Sequence, residues 1–321
     1  MTDITLDLAG RRDRDDGRPW DGLCSTDVEV ITDDGVPLAV RDYCPPAPRH
    51  TVVFLHGLCL DRPTWSHQIG YLRRRYAETV RVISYDHRGH GRSGPAPMRT
   101  YCPERLAEDL AQVIYARNVT GNVTLAGHSL GGMTALAYCG LAAGDRPVEP
   151  QGLVLAATAA GRLTERGLGR LLATPAPGLL FGLVDHAPEH VLRALTGPLA
   201  ATFRRWGGAG LATSATLAMV AAALANVSVQ TTVGFLPSLC SYDQYRTLAG
   251  IQARTVVLSG GADLLTPACH ADELAASIPH AEHLHLPSVG HMLPQEAPHV
   301  LNNALRRVIG ARDRSWCEVS A

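Results

Sequence analysis

Val123–Gly132 reads VTLAGHSLGG. Val123-Thr124-Leu125-Ala126 is a short apolar run of buried-strand type. Gly127-His128-Ser129-Leu130-Gly131 fits G-x-S-x-G, and Met133–Tyr138 is compatible with helix. A strand, a sharp turn and a helix in that order make this pattern a nucleophile elbow, which lifts the serine hydroxyl clear of the sheet edge. A serine on so tight a turn crowds the residues two before and two after it, and only glycine leaves room there. The same turn aims the Leu130 N–H at the place where an oxyanion would form.

Working outward, the pattern is that of a mostly parallel sheet covered on both faces by helices. Asp27–Ile31 and Leu38–Tyr43 flank Asp33-Asp34-Gly35, a hairpin turn, with Pro37 at the start of the second strand. Thr51–Leu55, Arg81–Tyr85, Leu153–Ala157 and Thr255–Ser259 are short apolar runs of buried-strand type, and Ala281–Leu286 closes the series. Between them lie helical patterns at 64–76, Glu104–Arg117, about 267–277 and Glu296–Ile309. Pro103 stands at a helix start, and Thr266-Pro267 is expected to cap another. Strands alternating with helices give an α/β fold that begins with an antiparallel hairpin.

Residues 161–250 break the alternation. They are rich in Ala, Leu and Gly, and Trp206–Cys240 contains no charged residue. A membrane span needs about 20 strongly apolar residues, and this run is interrupted by Gly, Thr, Ser, Asn and Gln. That makes a membrane span the weakest of three readings, beside a buried helical insert and a helical cap over the site. The cap is favoured because the insert leaves between two sheet strands at the ligand-binding edge. The expected organisation is a flexible extension over 1–25, a core over 26–160 and 251–312, and a helical cap over 161–250.

With 321 residues, 46% hydrophobic and 18% charged, the chain buries a large core. A formal net charge of −1 without long one-sign blocks argues against a nucleic-acid partner and electrostatic membrane docking. All 29 basic residues are arginine, which excludes a P-loop lysine, a Schiff-base lysine and a serine–lysine catalytic pair. The 8 cysteines are scattered, without C-x-x-C, so neither a zinc ribbon nor a disulfide framework is expected. The first twenty residues lack an apolar stretch of the secretory kind. A reduced, cytoplasmic protein without an integral membrane span is the expectation.

A serine needs a base to become nucleophilic, and the base needs an orienting acid; a fold with a nucleophile elbow of this kind places them in the chain order Ser, acid, His. Asp263 directly follows the strand TVVLSGGA at the sheet's carboxyl edge. Glu282 lies at the wrong edge, Asp272 and Glu273 lie within a helix, and Asp185 and Asp243 lie in the insert. Of 14 histidines, His291 sits in the loop after the last strand, where a base can swing over the elbow. His283 and His285 alternate on a strand and share one face, where two histidines alone make a weak metal site. His280 and His299 read as surface positions. The second oxyanion donor is expected from Leu58 N–H, in the loop after Thr51–Leu55. Cys59 beside it reads as a small buried residue rather than a redox-sensitive thiol. Arg88 and the histidines of Asp86–Gly94 read as holding a loop.

Taken together, HGL (56–58), DHRGHGRS (86–93), GHSLGG (127–132), GGAD (260–263) and VGHM (289–292) resemble the α/β-hydrolase superfamily, in its capped esterase, lipase and C–C hydrolase branch. The resemblance covers about residues 27 to 310 apart from the insert. It implies an α/β-hydrolase fold with Ser129 as nucleophile, His291 as base, Asp263 as acid, and Leu58 and Leu130 N–H as oxyanion donors. It implies no cofactor and no metal. Relatives that are epoxide hydrolases or dehalogenases use an aspartate nucleophile, so Ser129 argues against both. The expected activity is hydrolysis of a carboxylic ester of a hydrophobic small molecule. Thioesterase, lactonase, C–C hydrolase and perhydrolase chemistry would use the same residues, and a ligand sensor is the non-enzyme alternative.

Overall fold

The computed structural model describes residues 6–7, 25–187 and 227–310. Residues 206–226 of the uncharged run, and residues 1–5 and 8–24 of the N-terminal extension, lie outside the described residues. Nine strands form one sheet in the order β1-β2-β3-β5-β4-β6-β7-β8-β9. They are β1 (Leu6–Asp7), β2 (Ser25–Ile31), β3 (Pro37–Tyr43), β4 (His50–Leu55), β5 (Val80–Tyr85), β6 (Asn122–His128), β7 (Gly152–Ala156), β8 (Arg254–Gly260) and β9 (Glu282–Leu286). Strands β1 to β3 pair antiparallel, β3 joins β5 antiparallel, and every pairing from β5 through β9 is parallel. This is the expected α/β fold, with Leu6–Asp7 as a two-residue addition at the hairpin edge.

The central strands are apolar on both sides, as a sheet covered on both faces requires. Val53, Leu55, Leu125, Leu153, Leu155 and Val257 face one core, shared with Leu110, Val113, Leu136 and Leu274. Their neighbours Val52, Phe54, Ala126, Val154, Ala156 and Leu258 face the other, shared with Leu72, Leu301 and Leu305. The helices are α1 (Ser66–Tyr76), α2 (Pro103–Ala116), α3 (Leu130–Gly140), α4 (Ala176–His186), α5 (Val229–Gly234), α6 (Leu236–Ser241), α7 (Tyr245–Leu248), α8 (Ala268–Ser277), α9 (Leu293–Glu296) and α10 (Pro298–Ile309). Helices α2, α3 and α8 cover the first face, and α1 and α10 the second.

Two local expectations change. The pattern read as one helix from Glu296 to Ile309 is two, α9 and α10, broken at Ala297 ahead of Pro298. Proline disfavours helical geometry in the residue before it and starts a helix well. Thr266 does not cap α8: the N-cap is Pro267, without a side-chain hydrogen bond, and the Thr266 hydroxyl is used by Asp263 instead.

The 161–250 segment leaves after β7 and returns before β8. Its two ends meet in a bridge between Gly161 and Asp243, where Gln244 N–H donates to Ala160 O at 2.7 Å. Arg166 and the Tyr245 hydroxyl both bind the Glu273 carboxylate, fastening the two ends to α8. Among the described residues, no single helix is long and apolar enough to cross a membrane. The cysteines 44, 59, 102, 139, 240 and 269 are all free.

Candidate active site

Strand β6 ends at His128 and α3 starts at Leu130, which leaves Ser129 alone on the turn with φ 53° and ψ −117°. The turn is fixed by backbone: Ser129 N–H donates to Ala156 O at 2.9 Å, and the Thr158 hydroxyl donates to Ser129 O at 2.7 Å. The flanking glycines are sterically required. A Cβ on Gly127 would lie 2.4 Å from Gly131 O, and one on Gly131 would lie 2.1 Å from Leu55 O. Leu130 N–H, at the first position of α3, is one of the donors that a helix start leaves without an intrahelical acceptor.

Asp263 and His291, 28 residues apart in sequence, meet: His291 Nδ1 lies 2.8 Å from Asp263 Oδ2. Both are 3% exposed. The carboxylate is saturated. Leu265 and Thr266 N–H donate to Oδ1 at 2.8 and 3.0 Å, and the Thr266 hydroxyl donates to Oδ2 at 2.7 Å. Burial pushes the Asp263 carboxyl up, but the bonds and charge of His291 and Thr266 outweigh burial and hold it below its usual range. Asp263 therefore stays ionised and takes the Nδ1–H of His291, which turns the Nε2 lone pair outward as a base requires.

The loop bearing His291 is held against the serine turn by His128. Its Nε2–H donates to His291 O at 2.8 Å, and the two rings lie 5.0 Å apart. Sequence reasoning missed His128, because G-x-S-x-G leaves that position free and its partner is a backbone carbonyl far along the chain.

Leu58 lies in the turn Gly57–Leu60, directly beside the serine turn: a Cβ on Gly57 would lie 3.2 Å from Ser129 Cβ. Leu58, Leu130 and Met133 form one apolar cluster with Leu163, Leu172, Phe235 and Leu239 of the 161–250 segment. Cys59 is 6% exposed, and burial pushes its thiol up to about 11, so it is a protonated, packed side chain.

The remaining candidates are occupied elsewhere. Asp185 pairs with Arg99, Asp243 accepts from Tyr245 N–H, and Glu282 is held by Arg254 and Arg307. His283 and His285 do share a face, where both bond the Ser259 hydroxyl, at 2.8 and 3.0 Å, and His283 also faces Asp272. His280 and His299 are exposed. Arg88, fully buried, binds Asp109 through two nitrogens at 2.7 Å and reaches Asp34 in the hairpin turn, so it holds the 86–94 loop. Among the described residues, no cluster of three or more His, Cys, Asp or Glu side chains is arranged to hold a metal ion.

Four buried histidines surround the two turns: His56, His87, His90 and His128. Burial pushes His56 down to about 4, His90 and His128 to about 3, and His87 well below its ordinary value. All four are neutral in the folded protein near pH 7. On unfolding they regain an ordinary value near 6.5. Below that pH the unfolded chain binds more protons, so stability is full above about 6.5 and falls as acid is added. Each histidine contributes a slope of up to about 1.4 kcal/mol per pH unit. Urea midpoints are expected to be flat from pH 8 to 7 and to fall steeply from 6.5 to 5. A midpoint that is level down to pH 5 would contradict neutral burial.

The sequence model of the alpha/beta hydrolase family matches residues 52–304. The chain is 35% identical over 85 residues to 3-oxoadipate enol-lactonase 1 of Acinetobacter baylyi, covering 26% of this chain and 29% of that protein. It is 36% identical over 104 residues to a bifunctional esterase/perhydrolase of Acinetobacter calcoaceticus, covering 32% of this chain and 35% of that protein. These matches thus span about a third of the relatives' length. Over the whole fold, a hydrolase from Pseudomonas aeruginosa superposes with a TM-score of 0.66 at 26% identity, covering 91% of this chain and 100% of the other.

Proposed function

The chain belongs to the α/β-hydrolase family, and from that premise we propose that it is a serine hydrolase that cleaves carboxylic esters of hydrophobic small molecules. The observation that carries this reading is the 2.8 Å His291–Asp263 bond in a loop held onto the Ser129 turn. His291 Nε2 takes the Ser129 proton as Oγ attacks the ester carbonyl carbon. The tetrahedral oxyanion accepts from Leu58 and Leu130 N–H, each such donor being worth about 3 kcal/mol in the transition state. The C–O bond breaks, His291 returns the proton to the leaving alcohol, and an acyl-enzyme remains on Ser129. Water then attacks, again with His291 as base, and releases the acid.

The 161–250 segment serves as a cap. Its Leu163, Leu172, Phe235 and Leu239 lie against Leu58, Leu130 and Met133, which favours an apolar acyl or alcohol group next to the reacting carbon. A lactone is a cyclic ester and passes through the same steps, and the similarity to an enol-lactonase makes it the second substrate class to try.

The test is a p-nitrophenyl ester series from acetate to palmitate, run beside labelling with a fluorophosphonate. kcat/KM is expected to rise by roughly tenfold or more from acetate to hexanoate, because each methylene transferred into an apolar pocket adds binding. Labelling without turnover of any ester would shift the reading to a thioester or C–C substrate. An unlabelled protein without turnover would sink it and leave a ligand sensor.

A further inference from the structure

The turn that carries Leu58 is held in a conformation its own sequence does not favour. Leu60 N–H donates to Gly57 O at 3.2 Å, which closes a four-residue turn with Leu58 and Cys59 at its centre. Of those two central residues only Cys59 has positive φ, at 63°. That pairing defines a type II turn, whose third position calls for glycine. A cysteine there brings its Cβ against backbone, and a type I turn, with the central peptide flipped, would relieve the crowding.

What opposes the flip is His90. The central peptide's own donor, Cys59 N–H, bonds His90 Nε2 at 3.1 Å. His90 Nδ1 bonds Arg88 O at 2.9 Å, so Nδ1 carries the hydrogen and Nε2 offers its lone pair to Cys59. The imidazole is 1% exposed and wedged between the ring of His56 at 5.2 Å and that of Phe235 at 5.9 Å. A flip would leave Cys59 N–H without this acceptor and present the Leu58 carbonyl in its place, with no donor to meet it, inside a buried region. The assignment of Leu58 N–H as an oxyanion donor gives this arrangement a consequence for rate.

We propose that His90 is a positioning residue for the hydrolysis: it locks the Leu58–Cys59 peptide in the type II orientation and so fixes the turn that presents Leu58 N–H to the oxyanion. The inference rests on the serine-hydrolase reading above. It also assigns a role to the second histidine of DHRGHG, which the hydrolysis itself leaves unused.

The test uses epistasis with the strained residue. His90→Ala is expected to lower kcat on a p-nitrophenyl ester on the order of 30-fold, with KM changed less than about threefold, because the loss falls on the transition state alone. Adding Cys59→Gly, which takes positive φ without strain, should restore roughly tenfold of that loss. A residue that merely fills space would show no such rescue, and its absence would overturn the proposal. If His90→Ala does not fold, His90→Gln and His90→Leu replace it. Gln keeps an acceptor and should outperform Leu, and equal losses would again overturn the proposal.

Leu58→Pro tests the underlying reading separately. Proline suits the second position of a type II turn and removes the N–H together with part of an apolar side chain, so kcat should fall about 10²- to 10³-fold, beyond any change in KM, without rescue by glycine. Undiminished turnover in Leu58→Pro would sink the donor assignment and, with it, the positioning role of His90 in the hydrolysis. Protection of the Cys59 amide from hydrogen exchange, lost in His90→Ala, supports the lock whether or not an ester is turned over, and equal protection in both proteins refutes it.

Discussion

Ser129→Ala is expected to lower ester turnover by about 10⁶-fold, the scale seen when a serine protease loses its nucleophile, with the fold unchanged. Both halves of the expectation come from the turn. The backbone at Ser129, with φ 53° and ψ −117°, is held by its own N–H donating to Ala156 O and its own carbonyl accepting from the Thr158 hydroxyl, so neither bond uses the serine side chain. Alanine has the same Cβ, meets the same strain and keeps those bonds. The melting temperature should therefore move by no more than about 2 °C. What disappears is the only atom proposed to bond the acyl group. Fluorophosphonate labelling should vanish with turnover, while an unreactive ester analogue should bind as before. A variant that keeps turnover within a hundredfold of the wild type would mean that another group attacks the carbonyl.

The parts of the site that were readable in sequence are those that sit at the ends of regular elements. Asp263 follows β8 and His291 follows β9, and parallel strands bring both to the sheet edge where β6 runs out into the Ser129 turn. Apolar runs such as TVVFL and TVVLS need two covered faces, so the sheet was legible too. The parts that were hidden act through backbone. His128 bonds a carbonyl 163 residues away, and His90 receives an N–H from a residue 31 away. Backbone partners place no demand on residue type, so no spacing announces them. Thr266 shows the opposite case, a visible helix-capping signal diverted because a buried carboxylate offers its hydroxyl a stronger, charge-assisted bond. In the 161–250 segment, composition gave helical propensity but no lengths. Pro175, Pro177 and Pro237 stand at helix starts, and what is described falls into short pieces, of which α5 and α6 span 6 residues each.

Asp263→Asn is expected to lower kcat by about 10⁴-fold, and the hydrogen bonds around the carboxylate say why so isosteric a change costs so much. Oδ1 accepts two backbone N–H groups, from Leu265 and Thr266. Those donors cannot rotate away, so the asparagine oxygen must take the Oδ1 position and its NH₂ the Oδ2 position. There the NH₂ meets His291 Nδ1 and the Thr266 hydroxyl, the two groups that bond Oδ2 in the wild type. An NH₂ donates where the carboxylate accepted, so Nδ1 must surrender its hydrogen and receive one. The proton of the neutral imidazole then sits on Nε2, the atom proposed as the base, which is left with nothing to accept the hydroxyl proton. The threonine can turn its hydrogen elsewhere, so the change is one of tautomer more than of packing. Acylation should recover in part as the pH is raised and hydroxide shares the work of the base, a signature that a folding defect would not give. A loss below about tenfold would place the orienting acid elsewhere and free Asp263 from the proposed chemistry.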